Sequence, residues 1–229
     1  MIIYIDEIRK ICFLVSPKAG TSSIADYLNI PLLTIYSDDV IYNVLTDDNY
    51  MKIIIIRKNI IKRFISGFYE DLLNNTCYDN MNITFNDYLL FLNNCYTNKI
   101  KNVNNINNDI PIWFGYENML SITDDNGLFC SHIMSQHYAL NVFINMIQGS
   151  NVKLIELNDL NTFLNYNKIM NKKDYNNIPN NMILSDMKKN QIIISEETLT
   201  EEQKNIILNM YTIDIDFIKE LESRFVYIY

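Results

Sequence analysis

A chain of 229 residues is the length of one domain, and its 48% hydrophobic and 12% aromatic content supplies a packed core and excludes intrinsic disorder. A formal net charge of −8 excludes the broad basic footprint of a nucleic-acid-binding surface, so an anionic ligand needs a local cationic pocket. Cys12, Cys77, Cys95 and Cys130 form no CxxC pair, and they suit free buried thiols in a reducing compartment better than a zinc site or a disulfide frame.

The first residues, Met1–Asp6, lack the basic stretch and small-residue cleavage site of a signal peptide, and no apolar run approaches the roughly 18–20 residues of a membrane span. The expectation is a soluble, cytoplasmic protein with no membrane segment, a single domain over residues 1–229. In chain order, Ile11–Val15 is an apolar run ending in a Pro/Gly turn and predicts a buried strand. Thr21–Leu28 follows as a helix and Leu32–Tyr36 as a second strand. Ile53–Ile56, four β-branched residues in succession, predict a central strand covered on both faces. From Ile60 the apolar residues recur at helical spacing through Leu73. Phe85–Leu92 predicts a helix, the Asn-rich stretches Lys99–Asp109 and Asn171–Asn181 predict surface excursions, and Val152–Leu157 predicts another strand. Thr200 and Gln203 form a capping box ahead of the helical run Ile206–Tyr211, and a last helix covers Asp214–Glu222. Alternating strands and helices predict a three-layer, P-loop-like α/β fold with a central parallel β-sheet flanked by helices.

The strongest chemical signal is Ser16–Ser23, a loop of sequence SPKAGTSS between a buried strand and a helix. Helix N-termini carry unpaired N–H groups and the positive end of the helix dipole, which attract phosphate. Gly20 admits close approach of the backbone, Thr21, Ser22 and Ser23 add hydroxyl donors, and Lys18 adds a mobile charge. The loop is not a Walker A sequence, because Lys18 precedes Gly20 and no glycine opens it. A tight strand–helix connection accounts for the same small residues without a ligand. A second cationic segment, Arg57-Lys58-Asn59, leaves the strand Ile53–Ile56 and leads into a helix bearing Arg63 and Ser66, three apart on one face opposite much of the apolar stripe. Cations at the carboxyl end of a central strand lie where α/β sheets bind ligands; a solvated basic patch is the alternative.

Together the two segments resemble the sulfotransferases, in particular their carbohydrate-type branch. Pro17-Lys18-Ala19-Gly20-Thr21-Ser22 is similar to that family's loop for the 5′-phosphosulfate, PK(A/T)G(T/S)(T/S), and Arg57 through Ser66 to its 3′-phosphate segment, RxPxxRxxS. The match departs from the pattern: aligning Arg63–Ser66 puts Lys58 at the leading basic position, and Ile60 or Ile61 stands in place of proline. Arg57 is the preferred phosphate ligand over Lys58 because its planar fork suits phosphate. His132-Ile133-Met134-Ser135-Gln136 is similar to an HxxPQ element of the carbohydrate branch, Leu154–Leu160 to a late strand-and-turn segment, and Tyr211–Phe217 in outline to a YxxDxxxF helix.

The resemblance implies 3′-phosphoadenosine-5′-phosphosulfate as sulfuryl donor, a carbohydrate or other hydroxyl acceptor, and no metal. The donor would be held by Pro17, Lys18, Ala19, Gly20, Thr21, Ser22, Ser23, Arg57 or Lys58, Arg63 and Ser66, with Lys18 also neutralising the bridging oxygen. The family's general base is a Glu or His; Asp39 is the first candidate and His132 the second. Asp38 and Asp39 also suit the start of a helix over Val40–Leu45. Glu70 and Asp71 fit a solvated helix face, and Trp113 a core anchor as well as a sugar platform. The competing functions are a P-loop nucleotide kinase, for which Glu156 is the one carboxylate on the late strand, and a non-catalytic relic of the sulfotransferase fold.

Overall fold

The computed structural model describes residues 2–16, 18–31, 34–74, 85–86, 89–90, 92–93, 135–166 and 194–228. Pro17, Leu32, Leu33, Cys77, Cys95, Trp113, Cys130, His132, the two Asn-rich stretches, and the side chains of Glu70 and Asp71 lie outside this description. Among the described residues five strands form one sheet in sequence order: β1 (Ile2–Asp6), β2 (Ile11–Val15), β3 (Met51–Ile56), β4 (Val152–Glu156) and β5 (Val226–Tyr227). β1 pairs antiparallel with β2, and the remaining neighbours pair in parallel.

The sheet is therefore mixed rather than wholly parallel. The antiparallel member comes from a hairpin that Asp6 organises: its Oδ1 accepts from the amides of Ile8 and Arg9, and its Oδ2 from the Arg9 guanidinium. The strand expected at Leu32–Tyr36 is absent over its described part. Thr34–Tyr36 are irregular, and Ile35 is 91% exposed, so nothing there buries an apolar face.

Strand alternation splits the core in two. Ile54 and Ile56 of β3 join Cys12, Leu14 and Leu154 on one face, while Ile53 and Ile55 join Phe13, Val15 and Ile155 on the other. All four β3 isoleucines are fully buried, each stabilising the fold by about 1.5–3 kcal/mol. The first face is covered by α2 (Asp38–Thr46), α3 (Ile60–Asn74), α4 (Gln136–Met146), α6 (Glu201–Met210) and α7 (Thr212–Arg224). The second is covered by α1 (Thr21–Leu28) and α5 (Leu160–Tyr166). The three layers are thus helix, sheet and helix, and Phe85, Leu89 and Leu92 add a helical segment to the first face.

Local signals account for several boundaries. Asn59 caps α3, its Oδ1 accepting from Lys62 N–H at 2.8 Å. Thr200 and Gln203 form a reciprocal capping box at α6. Cys12 is buried and free, and burial pushes its thiol up to about 12. Among the described residues no helix is long and apolar enough to cross a membrane.

Candidate anion site at the carboxyl ends of β2 and β3

The parallel register sets Val15 beside Ile55 and Ile56 beside Glu156, so Ser16, Arg57 and Glu156 all leave the sheet at one edge. After Ser16 the chain makes a tight turn, with Ala19 N–H donating to the Ser16 carbonyl at 3.1 Å. Lys18 has φ 63° and Gly20 has φ 97°. A left-handed lysine costs about 1–2 kcal/mol over the right-handed form, and such strain collects at functional turns. Gly20 has a second constraint: a Cβ there would lie 2.6 Å from Leu160 Cδ2 and 3.0 Å from Leu157 Cδ1. Gly20 is also the N-cap of α1, and no side chain caps that helix. Its first-turn amides have no capping side chain among the described residues and lie beside the hydroxyls of Thr21, Ser22 and Ser23.

The Arg57 guanidinium reaches this loop, its Nη1 donating to the Lys18 carbonyl at 3.3 Å. Two segments 39 residues apart are thereby brought to one place. Arg57 forms no ion pair among the described residues. Burial, then the positive charge of Arg63, depress its affinity for a proton, and the carboxylate of Glu156 opposes them. Lys58 faces elsewhere: its ammonium pairs with Glu222 at 2.7 Å and lies 4.3 Å from the centre of the Tyr227 ring. Those contacts hold its proton more tightly than usual.

Arg63 is not on a solvated face. It is completely buried, its Nη1 is 3.5 Å from Asp214 Oδ2, and its guanidinium carbon is 5.6 Å from the centre of the Tyr211 ring. Its helix is enclosed on this side by α6 and α7, so the side opposite the apolar stripe is itself interior. Nε and Nη2 of Arg63 have no hydrogen-bond partner among the described residues. Ser66 is half-buried one turn further along α3, and no described hydrogen bond joins it to Arg57 or Lys18. The edge thus carries two guanidinium groups, a half-buried one on Arg57 that feels the Glu156 carboxylate and a fully buried one on Arg63 that meets the fully buried carboxylate of Asp214.

Two residues that sequence reasoning did not select complete the site. The Gln136 side chain is fully buried and pairs with the Arg57 main chain twice: Arg57 N–H donates to Oε1 at 2.8 Å, and Nε2 donates to the Arg57 carbonyl at 3.0 Å. Ser16 Oγ donates to the same Oε1 at 3.4 Å. Asp214 holds the start of α4, accepting the Gln136 and His137 amides at 3.0 Å each and the Ser135 hydroxyl. The available signals were the HxxxQ element ending in Gln136 and the Tyr211–Phe217 segment containing Asp214.

Asp38 and Asp39 are exposed in the first turn of α2, behind the N-cap residue Ser37. The far end of α2 meets the amino ends of β3 and β4, where Gln148 N–H donates to the Leu45 carbonyl at 3.3 Å. No described hydrogen bond or ion pair joins the two carboxylates to Lys18 or Arg57. No group of three or more His, Cys, Asp or Glu side chains suited to a metal gathers among the described residues. Comparisons with family models, with curated proteins and with solved structures return no match.

Proposed function

We propose that the chain is a sulfotransferase that moves the sulfuryl group of 3′-phosphoadenosine-5′-phosphosulfate to an acceptor hydroxyl, with carbohydrate the favoured acceptor. The observation that carries this reading is the Arg57–Lys18 contact, which unites the two segments resembling the family's 5′-phosphosulfate and 3′-phosphate elements at one sheet edge. The Arg57 guanidinium, which has no ion pair among the described residues, supports an anionic ligand there. Arg57, rather than the engaged Lys58, is the residue to meet the 3′-phosphate. Ser66 would reach that phosphate from the next turn of α3, and the Gly20–Ser23 amides and hydroxyls would hold the 5′ side.

The reaction is an in-line displacement. The acceptor oxygen forms a bond to sulfur, the bond from sulfur to the bridging phosphate oxygen breaks, and its electron pair leaves with adenosine 3′,5′-bisphosphate. Positioning and charge stabilisation supply most of the acceleration, as in phosphoryl transfer. Lys18 would meet the charge growing on the bridging oxygen, and the acceptor proton would pass to Asp39, or to His132, which lies outside the described residues.

Calorimetric titration with adenosine 3′,5′-bisphosphate in the absence of metal tests the proposal, followed by transfer of labelled sulfate to mixed glycans. Metal-independent binding and label transfer support it. Binding without transfer identifies a non-catalytic relic, and magnesium-dependent ATP binding in place of bisphosphate binding identifies a kinase-like enzyme.

A further inference from the structure

We infer that Gln136 is a positioning residue of the anion site, holding the carboxyl ends of β2 and β3 in the relation that lets Arg57 and the Lys18 loop act on one ligand. Among the described residues every hydrogen bond of its side chain goes to these strand ends, and none goes to its own helix. With both main-chain groups of Arg57 engaged, the direction in which the Arg57 side chain leaves the backbone is set. From that direction its guanidinium reaches Lys18. Ser16, the residue before the loop, hangs from the same side-chain oxygen.

Gln136 is itself held from behind. Asp214 accepts the first two amides of α4, and the charge of Asp214 is in turn met by Arg63. A chain of contacts therefore runs from α7 through α4 to Arg57. Charge recognition needs ligand groups fixed to within about 0.5 Å, and supporting residues of this kind provide that precision. Glutamine is also the residue the position demands. A carboxylate lacks the donor for the Arg57 carbonyl and would set a further negative charge beside Arg57, competing with an anionic ligand. The inference rests on the sulfotransferase reading only for the identity of the ligand.

The test compares wild type with Gln136→Met and Gln136→Asn, and with Val44→Ala, a core substitution on α2 away from the site. Two quantities are read well below the unfolding midpoint: affinity for adenosine 3′,5′-bisphosphate by calorimetry, and hydrogen exchange of the Arg57 amide by NMR. Both Gln136 variants are expected to lose about tenfold or more in affinity, the lower end of the range found when groups that orient metal ligands are removed, with faster Arg57 exchange. Val44→Ala is expected to keep wild-type affinity despite its lower midpoint. Unchanged affinity in both Gln136 variants overturns the inference whether or not exchange rises, as does an equal loss in Val44→Ala. If wild type fails to bind the bisphosphate, the sulfotransferase reading falls and inorganic pyrophosphate becomes the probe for the same comparison. Absence of binding to either overturns the positioning role too.

Discussion

Arg57 and Lys58 are adjacent in the chain and turned to different tasks: Arg57 donates to the Lys18 carbonyl, while Lys58 pairs with Glu222 on α7 and stacks on Tyr227 of β5. Arg57→Ala is expected to weaken adenosine 3′,5′-bisphosphate binding by at least about tenfold, the loss of a charge-assisted pair. Lys58→Ala keeps affinity within a factor of about two and lowers stability by about 0–1 kcal/mol, the worth of a half-exposed ion pair. Calorimetry and denaturant unfolding on the two variants check both halves of this statement.

Lys18→Ala removes the mobile charge and also relaxes a left-handed residue only in part, because alanine is disfavoured there as well. The expected outcome is a clear loss of bisphosphate binding with little change in the unfolding midpoint. Equal affinity in the variant would remove Lys18 from the site.

Gly20→Ala meets two obstacles at once, a positive φ and Leu160 Cδ2 at 2.6 Å. The leucine tip can yield, but the backbone conformation cannot be adopted without strain of about 1–2 kcal/mol. The variant should unfold at lower denaturant and bind the bisphosphate more weakly, since relief of the strain moves the amides of α1.

Asp214→Ala leaves Arg63 buried without its counter-ion and strips the start of α4 of its acceptor, a loss expected at about 3–5 kcal/mol. Replacing both partners, Arg63→Met with Asp214→Leu, should recover part of that stability without restoring the α4 cap. A double-mutant cycle by urea unfolding measures the coupling.

Burial lowers the pKa of His137, whose Nδ1 has no partner among the described residues, while Asp214 and Glu220 oppose the shift. Unfolding releases this group to its ordinary value near 6.5, so the unfolded chain binds the extra proton first. The His137 contribution is therefore complete above about pH 6.5 and lost as pH falls toward the lower folded value. Thermal unfolding from pH 8 to pH 5.5 should show a falling midpoint whose slope shrinks in His137→Gln.

Much of the scaffold was legible in short-range pattern. Ile11–Val15, Thr21–Leu28 and the Thr200–Gln203 capping box appear in the structure where apolar runs and turn chemistry place them. The edge strand β1 escaped because its partner is chosen by the hairpin at Asp6, whereas Leu32–Tyr36 carries an equally apolar stretch that finds no sheet neighbour over its described part. The candidate site divides the same way. The Lys18 loop and Arg57 announce themselves by charge beside strand ends. The roles of Gln136 and Asp214 depend on partners 79 and 78 residues away, and local spacing carries no trace of such pairings. A helical wheel sets Arg63 opposite much of the apolar stripe, and it cannot know that α6 and α7 close over that side and bury the guanidinium.

Arg63 and Asp214 lie 151 residues apart, which bears on how the protein is made. A nascent chain that has already assembled β2 and β3 still exposes a guanidinium whose acid has not emerged from the ribosome. Domains are synthesised at about 5–20 residues per second, so that delay lasts roughly 8–30 seconds. The helix that arrives last neutralises the first-built half, and truncation before Asp214 should yield a compact but unlatched chain prone to degradation.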